Sequence, residues 1–199
     1  MISKALKPII GTGMSVVADG EVRISSRRTT KALSDKFTSL VSDKFTAPKV
    51  FAHDVQLSNY ATFVEGRPEI ICNGRLRDDN FAAVTQQFVP GSTYGIEIFA
   101  IAPSASSEEC LKFLASQEAM FVGAQGITLI QQVKPEIFPS GKWTASLDKK
   151  KALWKDISGV HRVMGIQRFS DGIWRVFFNN WSHCWTPSDC LLCVHDLSS

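Results

Sequence analysis

Apolar residues at Leu33, Phe37, Leu40, Val41 and Phe45 recur at spacings of three and four, with polar Lys31, Asp35, Lys36, Ser39, Ser42 and Asp43 between them. That stripe predicts an amphipathic helix from Thr29 or Thr30 to about Phe45, ended at Ala47-Pro48. The echo of Ser-Asp-Lys-Phe-Thr at 34–38 and 42–46 returns nearly the same helix face. Upstream, Val16-Val17 and Val22–Ile24 flank Asp19-Gly20, a hairpin signal. Downstream, residues 50–57 and 68–72 predict strands, and Asp79 caps a helix that turns Phe81, Val84 and Phe88 inward. Residues 93–102 are almost continuously apolar after Glu97 and predict a central strand. Ser106 with Glu109 three residues on forms a capping box for a helix over 104–117, with Leu111 and Leu114 facing the core. Phe121-Val122 and residues 127–133 predict one or two further strands, completing one right-handed crossover.

The last third has a shorter rhythm. Residues 160–169 alternate, and Trp174, Val176 and Phe178 point one way while Arg175, Phe177 and Asn179 point the other. Asp171-Gly172 between these runs predicts a hairpin over 160–179. Asn179-Asn180 and residues 186–189 make turns, and 190–195 is a final short strand. Residues 134–141 hold two Pro and a Gly, and Leu147, Leu153, Trp154 and Ile157 suggest a short helix. The predicted class is α+β: a mixed-sheet N-terminal domain with flanking helices, plus a small C-terminal SH3-like β-barrel. The expected organisation is an arm and amphipathic helix over 1–46, an α+β domain over 47–135, a connector over 136–158 and the barrel over 159–199.

The run Phe178-Asn179-Asn180-Trp181-Ser182-His183-Cys184-Trp185-Thr186-Pro187, followed by Leu191-Leu192, resembles the chromo-barrel (Tudor-knot) family. The resemblance covers residues 159–199 and implies an SH3-like barrel. It makes Phe178 and Trp181 two walls of a methyl-lysine cage and Trp185 a core residue. The segment between Trp181 and Trp185 is shorter than in the family, and a further cage Trp has no counterpart. The alternative is that all three rings are core. Trp185, before Thr-Pro and opposite Leu191-Leu192, is the expected plug; Trp181, after the Asn pair, is expected to be exposed, with truncation costing under about 1.5 kcal/mol.

Charge changes the picture mainly through its distribution. The net value is +3, but residues 1–49 carry nine Lys or Arg against four Asp or Glu, an excess of +5. Arg27, Arg28 and Lys31 in that quarter are candidate phosphate contacts, the alternative being a solvated linker. Five cysteines without a secreted spacing predict reduced thiols and an intracellular, cytoplasmic setting. Pro8, Gly11 and Gly13 break the faintly leader-like start, which is read as unprocessed. No apolar run approaches a membrane span, so no membrane partner is expected.

Three chemistries remain to weigh. His183, Cys184, Cys190, Cys193 and His195 crowd together as a zinc-stabilised module would require. A strand sets Cys190 and Cys193 on opposite faces, however, so the leading reading assigns no metal and no cofactor. Cys72 with His53 is the one candidate nucleophile–base pair, and Asp54 and Glu97 would join it in a hydrolase or transferase pocket. The Ser-rich turn at 103–107 is a helix cap, and the adjacent acids Asp78-Asp79 and Glu108-Glu109 diverge as surface charge. The leading expectation is a non-enzymatic binding or scaffold protein. It would dock onto nucleic acid or a larger protein assembly through the basic arm or the aromatic surface. The small Cys/His enzyme is the alternative.

Overall fold

The computed structural model describes residues 14–16, 22–24, 27–48, 67–72, 84–156 and 158–197. Strands β1 (Met14–Val16) and β2 (Val22–Ile24) pair antiparallel, as the hairpin signal predicts, with Asp19-Gly20 outside the described residues. Then follow α1 (Arg27–Ser34), β3 (Phe37–Thr46), β4 (Ile70–Cys72) and β5 (Thr93–Ile101). Helices α2 (Ser107–Ser116) and α3 (Gly123–Val133) come next. The remaining strands are β6 (Trp143–Ser146), β7 (Trp154–Lys155), β8 (His161–Arg168), β9 (Trp174–Asn180) and β10 (Asp189–Asp196). No helix among the described residues is long and apolar enough to cross a membrane.

The fold is α+β, built on one mixed sheet. Its order is β3-β5-β10-β6-β8-β9-β4, with β7 pairing the start of β8. Strand β10 lies inside this sheet, antiparallel to β5 along Cys190↔Ala100 to Asp196↔Tyr94 and parallel to β6 at Asp189↔Trp143. Its first six residues are all buried, as a strand covered on both faces must be. The sheet does not close on itself. Strands β8 and β9 form the hairpin announced by Asp171-Gly172, with Gly172 at φ 84°. Strand β10 leaves that hairpin to pair with β5 and β6, where the sequence pattern predicts a closed barrel.

Four elements expected from the sequence are corrected. The helix to Phe45 ends at Ser34, and residues 37–46 form a strand along β5. Spacings of four serve a strand as well as a helix, because four is a multiple of two. The register shifts between Ser39 and Val41, a bulge that leaves Leu40 exposed at 44%. Phe37 thereby packs in one core and Phe45 in the other. The strand expected over 127–133 is the helix α3. Its β-branched run is buried on every side from Gly126 to Gln131, so it shows no polar stripe to betray its period. Thr128 turns its hydroxyl back onto the carbonyls of Ala124 and Gln125. A side chain at 126 would lie 2.3 Å from Val122, so Gly126 lets the first turn close on that residue.

The helix expected after Asp79 is irregular where described, over 84–89. Its backbone is held across the chain instead: Thr85 N–H donates to Asp148, and Val89 N–H donates to the Tyr94 hydroxyl at 2.6 Å. Phe88 meets Phe45 and Tyr94 edge-on at 5.1 and 4.7 Å. The short helix expected at 147–157 is a 3-10 turn, Lys150–Ala152, followed by β7. The strand expected at 50–57 lies outside the described residues.

Each face of the sheet has a helix. Ile127 and Ile130 of α3 pack on Ile96, Ile98, Met164, Ile166 and Leu192. Cys110, Phe113 and Leu114 of α2 pack on Phe99, Ile101, Val163 and Leu191, with Phe37 stacked on Phe113 at 4.0 Å. The predicted capping box opens α2: Glu109 N–H donates to Ser106 Oγ at 3.2 Å, and Ser106 N–H donates to Glu109 Oε2 at 2.9 Å. Lys36, just before β3, donates to Glu109 at 2.7 Å and holds its carboxyl below the ordinary glutamate range.

The two tryptophans after β9 tie the C-terminal third to this helix start. Trp185 is fully buried, and its indole N–H donates to Ser107 Oγ at 3.0 Å. The Ser107 hydroxyl donates to the Trp181 carbonyl at 2.6 Å, and the Trp181 indole donates to Glu108 at 2.8 Å. The ring expected to be exposed is therefore 8% accessible and part of the core. Trp185→Ala should cost about 3–5 kcal/mol through the cavity it leaves. Trp181→Ala should cost about 3 kcal/mol, about twice the limit expected of an exposed ring. Urea denaturation of both variants checks this; a loss below about 1 kcal/mol at either position would contradict the packing.

Candidate functional site

Alternation along β5 and β10 assigns their side chains to faces. Tyr94, Ile96 and Ile98 of β5, with Cys190, Leu192 and Val194 of β10, face α3. Gly95, Glu97 and Phe99, with Leu191, Cys193 and His195, take the other face. Helix α2 covers the Phe99–Ile101 end of that face. The opposite end is open among the described residues, a groove of about 490 Å³ lined by Ser42, Lys44, Gly95, Glu97, His195 and Leu197.

At the border between the covered and open halves, the register sets Cys193 across from Glu97 and His195 across from Gly95. His195 Nε2 lies 3.2 Å from Glu97 Oε2 and 3.3 Å from Cys193 Sγ. All three donor atoms lie within 4.8 Å of one another. Cys193 is fully buried, while Glu97 and His195 are half-buried toward the groove. Burial first, and the Glu97 charge second, push the Cys193 thiol up to about 12. Both contacts of the imidazole use the same nitrogen. A relay from thiol to imidazole to carboxylate needs the two ring nitrogens on opposite sides, so Glu97 is not placed as the third member of a catalytic triad behind His195.

Of the cysteines and histidines crowded at the C-terminus, only Cys193 and His195 come together. Cys190 is buried on the opposite face, as the strand period predicts, and its thiol is pushed up to about 11 by burial. His183 and Cys184 line a separate polar recess of about 360 Å³ with Arg162 and Asn180. His183 lies 3.9 Å from Asp189, whose carboxylate accepts from the N–H and hydroxyl of Thr186 and closes the turn. His53, Asp54 and the side chain of Cys72 lie outside the described residues. Glu97, expected with them, faces the groove.

Phe178 and Trp181 are not brought together. Phe178 packs against the α3-side core and meets Trp154 edge-on at 5.4 Å, whereas Trp181 is in the α2-side core. Lys31 is exposed on α1, and the side chains of Arg27 and Arg28 are outside the described residues.

Sequence reading passed over one charged surface. Helix α1 packs on α2, and Leu33 joins the α2-side core. Lys112 of α2 and Lys150 of the 3-10 turn both act on the Glu108 carboxyl, whose pKa is lowered by hydrogen bonds first and by these two charges after. Lys149 stands over the Phe121 ring at 5.8 Å. His161 is held below the ordinary histidine range by burial, then by the charges of Lys155 and Lys150. Lys112 on α2 and Lys150 thus meet near Glu108 on the α2 side of the sheet, and Lys112, Lys149, Lys150 and Lys151 are exposed. No salt bridge among the described residues engages those four.

Comparison with family models, with curated proteins and with solved structures gives no match.

Cysteine placement predicts an order of reactivity. In folded protein at pH 8, Cys184 is exposed and should be alkylated first, while Cys110 and Cys190, both buried with raised pKa values, should react only on unfolding. Peptide mass mapping after a brief iodoacetamide pulse reads this; early labelling of Cys190 would contradict its burial.

Proposed function

We propose that the protein is a non-enzymatic binding protein that docks a polyanion, with nucleic acid as the partner class, on its helix-bearing face. The observation that carries this reading is that Lys112 on α2 and Lys150 both reach Glu108, with exposed Lys149 and Lys151 flanking Lys150 and Lys31 on the helix α1 that packs on α2. Lys150 lies close enough to His161 to add, with Lys155, to the lowering of its pKa that burial mainly causes. Arg27 and Arg28 extend the set at the start of α1, four and three residues before Lys31. Exposed lysines that no salt bridge among the described residues engages are suited to phosphate contacts, which supply affinity without base readout.

The non-enzymatic part rests on the groove, where thiol, imidazole and carboxylate meet at one ring nitrogen. The small-barrel likeness of residues 159–199 contributes nothing to the docking surface, since Trp181 is buried against Glu108. A partner protein is the other outcome the charge pattern allows.

Fluorescence anisotropy with a labelled single-stranded oligonucleotide, and with its duplex, tests the proposal. Binding should weaken linearly in log–log salt, and replacing Lys149, Lys150 and Lys151 with Ala should lower the slope by about one unit per lost contact. The Arg27, Arg28 and Lys31 triple variant should do the same. Bound phosphate near His161 should also raise its pKa, read by NMR titration, because a nearby anion favours imidazolium. Salt-independent binding, or an unchanged slope in both triple variants, would overturn the proposal. A retained protein complex free of nucleic acid would replace the partner class.

A further inference from the structure

We infer that Glu97, Cys193 and His195 form a three-ligand site for a zinc-class divalent cation, with its remaining coordination position open to the groove.

The sheet itself assembles the donors. Cys193 and His195 are two residues apart on β10 and so share a face, and Glu97 stands directly across from Cys193 on β5. The site needs no loop to fold around it, because both strands are interior to the sheet and held by seven consecutive residue pairs. Rigid strands are the better support for a coordination geometry.

Spacing fits the metal. Zinc bonds of about 2.3 Å to sulfur and about 2.1 Å to nitrogen or oxygen, at tetrahedral angles, separate S from N by about 3.6 Å and N from O by about 3.4 Å. Here the S–N and N–O separations are 3.3 and 3.2 Å. Sulfur and carboxylate oxygen lie within 4.8 Å, and a separation of about 3.6 Å between them seats the ion.

Hydrogen bonding alone serves this trio poorly. Nε2 faces both the thiol and the carboxylate. If Nε2 is protonated it donates to Glu97, and the buried thiol loses its acceptor. If Nε2 is bare it accepts from the thiol, and its lone pair then faces carboxylate oxygen at 3.2 Å. A cation takes all three lone pairs at once. Soft sulfur with imidazole and carboxylate selects zinc, or cobalt in its place, over magnesium or calcium.

Three protein ligands leave a position for water or a small ligand, the arrangement of exchangeable rather than closed zinc sites. The groove supplies that access, with Ser42, Asp43 and Lys44 of β3 lining it. The C-terminal set weighed from the sequence holds two of these donors, Cys193 and His195; Glu97 is 96 residues before Cys193, while His183 and Cys184 line another recess.

The test uses full-length protein stripped with chelator, then titrated with cobalt(II) alone and with zinc alone. One equivalent of cobalt should bind and give visible bands of tetrahedral intensity with a thiolate-to-metal charge-transfer band, both displaced by zinc. His195→Ala and Glu97→Gln, at half-buried positions, should each weaken zinc binding by at least about tenfold. Cys193→Ser should remove the charge-transfer band. The paired control His183→Ala with Cys184→Ser should bind as the parent does. Far-ultraviolet circular dichroism identifies any variant that has failed to fold, in which case the cobalt spectrum of the parent and the other variants decides. Cobalt binding without a charge-transfer band would overturn the site, as would affinity unchanged in His195→Ala. So would loss of binding in the His183/Cys184 control.

Discussion

The antiparallel pairing of β10 with β5 is the contact on which the rest of the molecule depends. It joins residues about ninety apart in sequence, through seven residue pairs from Cys190↔Ala100 to Asp196↔Tyr94. On its other edge β10 pairs β6, which carries β8, β9 and β4. Without β10, β3 and β5 would have no ladder to the strands beyond it. Each flanking helix packs on β5 and β8, which lie on opposite sides of β10, as well as on β10 itself. The same strand sets the chemistry, since its two-residue period sends Cys190 into the α3-side core and Cys193 with His195 to the face that ends in the groove.

A second constraint acts at the start of α2. Ser107 is fully buried and stands between two tryptophans, accepting from the indole of Trp185 and donating to the carbonyl of Trp181. One hydroxyl thereby fixes the segment between β9 and β10 against the helix that covers the second face. Lys36 and Glu109 add an anchor from the β3 side. That pair is part-exposed and contributes modestly. The helix layer held in this way carries the lysines of the proposed docking face, so packing and charge are linked through α2.

Local signals were readable where sequence neighbours decide the outcome. The capping box of α2, the Asp171-Gly172 turn and the apolar run of β5 lie at or close to their predicted positions. Longer-range structure was not readable. Phe37, Val41 and Phe45 fit a helix and a strand alike, and only the bulged pairing with β5 chose between them. Residues 127–133 are rich in β-branched side chains and 127–131 are buried all round, so neither propensity nor period identified a helix. The donor set at Glu97 spans two strands, and no local spacing announces it. The basic face is likewise a product of three segments meeting, of which only the first stood out as a charge cluster.

Native-state hydrogen exchange measures the central dependence on β10 directly. Amides of residues 190–194 should exchange by global unfolding only, with the same opening free energy and denaturant slope as the slowest amides of β5 and β8. All three sets should move together as denaturant is added. Exchange of β8 and β9 through a separate, smaller opening that leaves β3 and β5 protected would contradict the account. It would mean that the two halves of the sheet are stable independently and that β10 does not unite them.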